Sequence, residues 1–301
     1  MTVYSAFGMT LRSDMELPLL PATGDEATVS LARVGEDELA AEWSGAPGAL
    51  IWQSVFPGAR LVTVERGHAR DQLIRYAGRA SFRISPDAAR VTWAGTDGAS
   101  TRRFLLDTVL WWTALSRGLQ LLHASAVELD GRVVAIVSHM GGGKSTLAGE
   151  LLLGGAALFS DDVVALSRTG GAVAHPGPPL MNVPADRTEL HALGRTLARL
   201  HEGDDELWLA VDRASRRPAT PAAVVLYRRA DGLTLDAVRA SPSLLELVPY
   251  AWGIPDDADA ARQRFALLGD LTETVPFISL TAAPEEPPAA IAAALLASLP
   301  S

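Results

Sequence analysis

The chain has 301 residues, of which 48% are hydrophobic and 20% charged, a balance typical of a folded protein with a sizeable core. Its net charge of −9 argues against a nucleic-acid partner, because proteins that bind nucleic acid usually carry a basic surface. Cysteine is absent, which excludes disulfides and thiolate chemistry, and no apolar run approaches the about 18 residues that span a bilayer. Since the first residues also lack a signal-peptide pattern, we expect a cytoplasmic protein without a membrane partner.

The first hundred residues are rich in short β-prone stretches separated by glycine and proline. The clearest is a hairpin, with strands at 81–85 and 90–93 that alternate apolar and polar residues around a turn at Pro86-Asp87. Further strands are predicted at 29–32, 50–55 and 61–65. We therefore predict a β-rich N-terminal domain over residues 1–100.

The pattern changes after residue 100. Residues 104–117 carry apolar side chains at helical spacing and end at Gly118, which predicts a helix. Strands and helices then alternate, which is typical of an α/β domain. We predict that this second domain covers residues 101–301.

Two predicted strands of the second domain, 121–128 and 132–137, are joined by Asp130-Gly131, a dipeptide that favours a tight hairpin turn. Strands joined in this way are antiparallel neighbours, so we expect a mixed sheet rather than a purely parallel one. The other predicted elements are strands at 157–160 and 222–228 and helices at 145–153, 187–201, 243–250, 257–271 and 287–299.

Lys144 is the only lysine in the sequence, although the chain contains 26 lysine and arginine residues in all. It lies in a segment that we call the glycine loop, residues 138–146: Ser138, His139, Met140, Gly141, Gly142, Gly143, Lys144, Ser145 and Thr146. Glycines followed by Lys-Ser form the end of a phosphate-binding loop, in which backbone N–H groups surround phosphate oxygens and lysine adds a compact positive charge. We therefore predict that residues 139–146 bind a nucleotide and that the hydroxyl of Ser145 is placed to ligate Mg²⁺.

The surroundings of the glycine loop favour this interpretation, but its first residue does not. A buried strand precedes the loop and a helix follows it, so the loop amides lie at a helix N-terminus, where the dipole favours phosphate. Ser138, however, occupies the position where such loops usually begin with glycine. The alternative is a glycine-rich turn with an incidental lysine, and Ser138 is its main support.

His123 and the pair Asp161-Asp162 accompany the glycine loop in the sequence. Two adjacent carboxylates at the end of a buried strand are costly unless a cation faces them, and Mg²⁺ with a nucleotide supplies one. In phosphoryl transfer, one carboxylate binds metal and another accepts the proton of the attacking hydroxyl. Alone, the aspartates would be interpreted as a turn or helix cap and His123 as a core residue. Beside the loop, all three are candidates for catalysis, with His123 contacting phosphate or handling a proton.

The segment that runs from His123-Ala124-Ser125-Ala126-Val127 through Gly143-Lys144-Ser145-Thr146 to Phe159-Ser160-Asp161-Asp162 resembles the catalytic core of the HPr kinase/phosphorylase family. It is most similar to the HPr-kinase-like enzymes found with lasso-peptide and related ribosomal-peptide clusters, which phosphorylate a precursor peptide. The resemblance implies an α/β fold, a P-loop kinase core of the HPr-kinase type with a mixed sheet, and a requirement for ATP and Mg²⁺. It also implies that His123 and Lys144 act in the active site, that Ser145 ligates Mg²⁺ and that Asp162 is the catalytic base. With Asp162 as the base, we expect Asp161 to be the catalytic residue that holds the metal.

The chain departs from this family at several points. Besides Ser138, it has no stretch resembling the signature used for phosphorolysis and for contact with HPr, which argues against HPr as a substrate and against dephosphorylation. The second acidic Mg²⁺ ligand of the family has no clear equivalent, and Asp186 and Glu189 are candidates only by default.

We therefore expect an ATP-dependent kinase that transfers phosphate to a Ser or Thr hydroxyl, on a ribosomally made precursor peptide. Two alternatives stay open. One is a nucleotide-binding regulatory or partner protein without kinase activity, and the other is a kinase of a small metabolite. The arginine pairs Arg102-Arg103, Arg216-Arg217 and Arg228-Arg229 are interpreted as solvated surface, with contact to an acidic peptide or to phosphate as the alternative.

Overall fold

The computed structural model describes residues 2–24, 26–43, 48–56, 60–199, 205–238, 240–253 and 257–299. Within them the protein is a mixed α/β structure with two compact units, formed mainly by residues up to Leu119 and mainly by residues from Gln120 onward. No helix in these ranges is both long and apolar enough to cross a membrane. The domain boundary near residue 100 stays a prediction, although the helical segment that follows it belongs to the first compact unit.

The first unit is built around one sheet. Its strands are β1 (Thr2–Ala6), β2 (Met9–Ser13), β3 (Leu20–Pro21), β4 (Val29–Arg33), β5 (Ala49–Phe56), β6 (Arg60–Arg66), β7 (Gln72–Tyr76), β8 (Ala80–Ile84) and β9 (Arg90–Gly95). They follow the order β3-β1-β2-β4-β9-β8-β7-β6-β5, in which β8 and β9 form the predicted hairpin. The helices are α1 (Glu36–Glu42), α2 (Ala99–Phe104) and α3 (Leu110–Ser116), and a π-helical turn over Leu105–Val109 joins the last two.

Aromatic side chains hold the helical segment against this sheet. Tyr76 of β7 stacks on Phe104 of α2, with ring centroids 4.5 Å apart. Phe82 of β8, which is fully buried, lies between Phe104 and Trp93 of β9 at centroid distances of 5.7 and 6.0 Å. Such ring pairs add to the free energy gained from the apolar area they bury. The first unit therefore has its own core.

The second unit contains the glycine loop and both aspartates. Its strands are β10 (Gln120–Leu122), β11 (Ala124–Leu129), β12 (Arg132–Val137), β13 (Ala157–Ser160), β14 (Val164–Arg168), β15 (Ala172–His175), β16 (Leu180–Pro184), β17 (Gly194–Arg199), β18 (Glu206–Val211), β19 (Pro221–Arg229), β20 (Thr234–Val238), β21 (Ala251–Trp252) and β22 (Phe277–Ala282). Its helices are α4 (Lys144–Leu153), α5 (Ala240–Leu247), α6 (Ala258–Thr274) and α7 (Pro288–Ser298), with 3-10 turns at Thr188–Leu193 and Val248–Tyr250.

The central sheet of this unit has the order β13-β11-β12-β19-β22-β20 and mixes both strand directions. β11 and β12 are antiparallel and joined by Asp130-Gly131, both at positive φ (49° and 77°), whereas β12 and β19 are parallel. The prediction of a mixed sheet with this hairpin is therefore confirmed. Smaller sheets with the orders β15-β14-β10-β21 and β16-β18-β17 complete the unit.

The alternation of side chains along β12 builds a core on each face of the central sheet. Val134 and Ile136 pack with residues of α4 and α7 on one face. Val133, Ala135 and Val137 pack with residues of α5 and α6 on the other. A strand buried on both faces reads as a continuous apolar run, which is how the sequence of β12 reads.

The predicted helix over 187–201 is wrong. Residues 188–193 form a 3-10 turn and 194–199 form β17, while 200 and 201 lie outside the described residues. Gly194 explains the difference, because a Cβ at this position would lie 1.9 Å from the carbonyl oxygen of Ala210 on the neighbouring β18. Only glycine allows this close approach of two strands. The helix was predicted from the spacing of apolar residues, which carries no information about the neighbouring strand β18.

The predicted strand 121–128 is also divided by the structure. β10 pairs with β14 and β21, whereas β11 pairs with β12 and β13 in the central sheet. His123 lies between them, and its backbone N–H donates a hydrogen bond to the carbonyl of Tyr250 at 2.7 Å. The chain therefore changes sheets at His123.

Candidate active site

The glycine loop, His123 and the two aspartates meet at one edge of the central sheet. β12 and β13 both run antiparallel to β11, so their carboxyl ends lie beside the amino end of β11. The chain leaves β12 into the glycine loop, leaves β13 into Asp161-Asp162, and enters β11 after His123. In α/β sheets, ligands commonly bind outside the carboxyl ends of strands.

Two glycines give the glycine loop its backbone shape. Gly141 and Gly143 have φ of 71° and 94°, in the left-handed region that side chains disfavour. Between them, the N–H of Gly142 donates to the carbonyl of His139 at 3.0 Å and closes a turn. Helix α4 then starts at Lys144, with Gly143 as its N-cap. The first N–H groups of α4 therefore face the loop, as an anion site requires.

Ser138 is part of this turn. It is buried, and its hydroxyl occupies the space where a Cβ on Gly142 would stand, 2.2 Å from that position. The serine thus fills a gap beside a residue that has no side chain. A closed loop forms with serine at its first position.

Lys144 and His123 are in direct contact. The Nζ of Lys144 lies 3.0 Å from Nε2 of His123, and Nδ1 of His123 lies 2.9 Å from the carbonyl oxygen of Asp162. A carbonyl only accepts, so Nδ1 carries the proton, and Nε2 of the neutral ring accepts from the ammonium of Lys144. Burial, reinforced by the charge of Lys144, lowers the pKa of His123. His123 is therefore held neutral, in one tautomer.

Lys144 itself is almost fully buried, with 5% of its surface exposed. This burial lowers the pKa of its ammonium group, while the nearby charges of Asp162 and Asp161 act in the opposite direction. The two carboxylates favour the charged form of the ammonium, and a buried positive charge at the α4 N-terminus suits a site that binds phosphate.

Asp161 collects three hydrogen bonds. Its Oδ1 accepts from the hydroxyls of Ser145, at 2.9 Å, and of Ser125, and its Oδ2 accepts from the backbone N–H of Asn182 at 3.1 Å. The Asp161 carboxylate and the Ser145 hydroxyl place two oxygen atoms side by side, and oxygen atoms are the ligands that Mg²⁺ prefers. The described residues contain no cluster of three or more His, Cys, Asp or Glu side chains able to hold a metal. One carboxylate and one hydroxyl are enough for a Mg²⁺ site, because Mg²⁺ usually keeps several waters and binds phosphate oxygens of the substrate.

Asp162 has an unusual backbone. Its φ is 63°, a left-handed conformation that is uncommon outside glycine and that Asp and Asn tolerate best. This turn directs its carbonyl to His123 and to the N–H of Ala124, and its Oδ2 accepts from the Nδ2 of Asn182 at 3.2 Å. Strain of this kind concentrates at functional sites.

Asn182 and Ser125 were not predicted as site residues. Asn182 contacts both aspartates, and its buried Oδ1 has no hydrogen-bond partner within the described part of the chain. An unpaired buried acceptor beside two carboxylates fits a site that receives a hydrated cation. Period-two alternation from His123 points to Ser125, whereas nothing in the sequence around Asn182 connects it with the aspartates.

The other predicted residues have less distinctive surroundings. His139 contacts Tyr250 through its Nε2 and the phenol oxygen, at 3.0 Å. Met140 is 85% exposed, and Thr146 lies partly buried in the first turn of α4. Of the default candidates for a second metal ligand, Glu189 pairs with Arg187, and Asp186 lies in the turn after β16.

Comparisons with known proteins leave the family open. No protein-family model matches the chain. No curated protein matches it either. Among solved structures, it is similar to the Hpr(Ser) kinase/phosphatase from Coxiella burnetii, with 16% sequence identity, a TM-score of 0.30, and coverage of 59% of this chain and 88% of that chain. A likeness of this size supports no conclusion about activity, which must be inferred from the site itself.

Proposed function

We propose that this protein is an ATP-dependent kinase that transfers phosphate to a Ser or Thr hydroxyl. The observation that carries the proposal is a single hydrogen-bonded group at the N-terminus of α4. Lys144 contacts His123, His123 contacts Asp162, and Ser145 contacts Asp161. A charge for phosphate, a metal-binding oxygen pair and a carboxylate for the acceptor proton are the parts that phosphoryl transfer needs.

The donor set fits Mg-ATP. The N–H groups of the glycine loop and the ammonium of Lys144 would hold the phosphates, and Ser145 with Asp161 would hold Mg²⁺. When bound, the metal supplies neutralisation of phosphate charge. Asn182 keeps the two aspartates in place through its backbone and side-chain donors.

Asp162 is the proposed base. As the acceptor oxygen forms a bond to the transferred phosphorus and the bond to ADP breaks, the hydroxyl proton passes to the Asp162 carboxylate, a role typically worth about 10² to 10⁴ in rate. Lys144 stabilises charge on the transferring group, and neutral His123 orients the ammonium through Nε2. The ring therefore supports Lys144 without adding a competing charge.

The proposed acceptor is a ribosomally made precursor peptide, because the residues around His123, Lys144 and Asp162 resemble those of HPr-kinase-like peptide kinases. The test is to incubate the purified chain with Mg-ATP and synthetic peptides encoded beside its gene, and to measure by mass spectrometry whether a peptide gains one phosphate. The Asp162→Asn variant serves as the control, because asparagine also tolerates the left-handed backbone of this position and lacks the basic carboxylate.

The possible outcomes distinguish the alternatives. A phosphorylated peptide with the natural chain and none with Asp162→Asn supports the proposal. Tight Mg-ATP binding without phosphorylated product would favour a regulatory or partner protein. Phosphorylation of a small metabolite and of no peptide would leave the kinase chemistry and overturn the acceptor.

A further inference from the structure

We propose that Arg229 is a phosphate-binding residue that acts beside the glycine loop as a second cation. The inference rests on the proposed function, because it assigns a further contact to the same nucleotide. From the sequence, the pair Arg228-Arg229 was interpreted as solvated surface, with contact to an acidic peptide or to phosphate as the alternative. The structure separates the two side chains, with Arg228 paired to Glu246 and Arg229 beside Gly143.

The direction of β19 brings Arg229 to the site. β19 is parallel to β12 and pairs Leu226 with Val137, the last residue before the glycine loop. The next residues of both strands therefore emerge at the same edge of the central sheet. The loop follows one strand, and Tyr227, Arg228 and Arg229 end the other.

Strand alternation then gives Arg228 and Arg229 different faces. Tyr227 packs in the core with α4, and Arg229, two residues later, shares that face. Leu226 packs in the core with α5, and Arg228 shares that face and pairs with Glu246 of α5. Only Arg229 is on the side where the glycine loop enters α4.

The guanidinium of Arg229 is held in place. Its Cζ lies 5.3 Å from the ring centroid of the buried Tyr227, and its Nη1 donates to the carbonyl of Ala283 at 3.0 Å. Stacking and a hydrogen bond to a fixed carbonyl reduce the rotamer entropy that a phosphate contact would otherwise have to overcome. Arg229 is thus prepared for binding.

The remaining nitrogens of Arg229 lie toward Gly143. A Cβ built on Gly143 would be 3.3 Å from Nη2 and 3.8 Å from Nε of Arg229. The absence of a side chain at Gly143 therefore leaves the backbone of the loop and the guanidinium side by side, next to Lys144. Arginine offers two parallel N–H groups that match phosphate oxygens, which the single ammonium of Lys144 does not.

The test compares Arg229→Gln with the matched control Arg228→Gln. Isothermal titration measures binding of Mg-ATP and of inorganic tripolyphosphate, which has phosphates and no base. We expect Arg229→Gln to weaken both at least tenfold, Arg229→Lys to recover part of the loss, and Arg228→Gln to stay within threefold of the natural chain. Thermal unfolding of each variant reports whether the fold is kept.

Three results would overturn the inference. They are unchanged tripolyphosphate binding by Arg229→Gln, equal losses in Arg229→Gln and Arg228→Gln, and a folded Arg229→Lys that binds no better than Arg229→Gln. If Arg229→Gln does not fold, Arg229→Lys alone decides. Unchanged affinity of Arg229→Lys for both ligands would then overturn the assignment of paired arginine N–H contacts to phosphate. Failure of the natural chain to bind Mg-ATP is a different result, since it removes the proposed function itself.

Discussion

Nδ1 of His123 donates a hydrogen bond to the main-chain carbonyl of Asp162, so the ring that contacts Lys144 is fixed by the residue proposed as the base. The carbonyl points to the ring because the backbone of Asp162 is left-handed. Asp162, His123 and Lys144 are therefore linked by consecutive hydrogen bonds, although 39 residues separate His123 from Asp162 in the sequence.

Burial of His123 should make the stability of the protein depend on pH. Burial lowers the pKa of His123 in the folded chain, so below about pH 6.5, the ordinary value for histidine, the unfolded chain binds a proton that the folded chain does not. Stability should therefore fall as pH decreases through this value and level off below the folded pKa. In His123→Gln this contribution to the fall in stability should disappear. Urea unfolding between about pH 5 and 8 measures the free energy of unfolding at each pH.

His175 provides the control for this experiment. Burial lowers its pKa as well, and its Nε2 contacts Ser167 rather than the site. His175→Gln should remove a separate share of the pH dependence and leave nucleotide binding unchanged. Parallel curves for the natural chain and His123→Gln would contradict the assignment of a neutral His123.

Lys144→Ala should abolish phosphoryl transfer and strongly weaken nucleotide binding, because no other lysine can replace its charge. Lys144→Arg should restore little, since the planar fork of arginine does not reproduce a compact ammonium that sits 3.0 Å from Nε2 of His123. Titration with Mg-ATP and a transfer assay measure both effects. Turnover by Lys144→Ala at the natural rate would show that the glycine loop is not the phosphate site.

The two aspartates should differ in their effects. Asp162→Asn should leave Mg-ATP affinity within a few-fold and remove transfer, because the lost charge acts on the acceptor proton. It also keeps a residue that tolerates the left-handed backbone at this position. Asp161→Asn should instead raise the Mg²⁺ concentration needed for activity. The reverse pattern would show that the two roles are exchanged.

Ser145 and Ser125 form a matched pair, since both hydroxyls donate to the same oxygen of Asp161. Ser145→Ala should raise the Mg²⁺ requirement about tenfold or more, because it removes a proposed ligand. Ser125→Ala should mainly lower stability, by the about 1.5–3 kcal/mol of one hydrogen bond to a charged group. Activity titrated with Mg²⁺, together with urea unfolding, separates the two. Equal Mg²⁺ shifts would argue against Ser145 as the metal ligand.

Ser138→Gly should change ATP affinity by less than about tenfold, or roughly 1.4 kcal/mol, because the loop already closes with serine present. Gly142→Ala should be damaging, since its Cβ would meet the hydroxyl of Ser138 at 2.2 Å. Combining the two changes should recover part of the loss, although the His139 carbonyl stays close. Calorimetric titration of all forms tests this, and binding that appears only in Ser138→Gly would favour a non-catalytic protein.

The mixed sheet and its hairpin were predictable because their signals are local. Asp130-Gly131 determines the turn, and the apolar run of β12 and the glycine loop lie within one short segment. Each of these features depends on chemistry between sequence neighbours.

The features that were missed depend on distant partners. Residues 194–199 form a strand because Gly194 approaches Ala210 closely. Asn182 belongs to the site because it contacts Asp161 and Asp162, which lie between β13 and β14. For Arg228 and Arg229 the sequence left both solvated surface and phosphate contact open, because it gives the alternation of faces but not which face meets the glycine loop. Tertiary placement, not residue type, distinguishes these positions.

The burial of the only lysine makes Lys144 an intrinsic chemical reporter. Every other member of the 26 lysine and arginine residues is arginine, so an amine-directed reagent has a single side-chain amine to react with in this sequence. Burial lowers the pKa of that amine and thereby increases its uncharged, nucleophilic fraction, while only 5% of its surface is open to the solvent. Ligands that fill the glycine loop should shield it further. The rate of acylation at Lys144, followed by mass spectrometry, can therefore report loop occupancy in the natural chain, without a substitution.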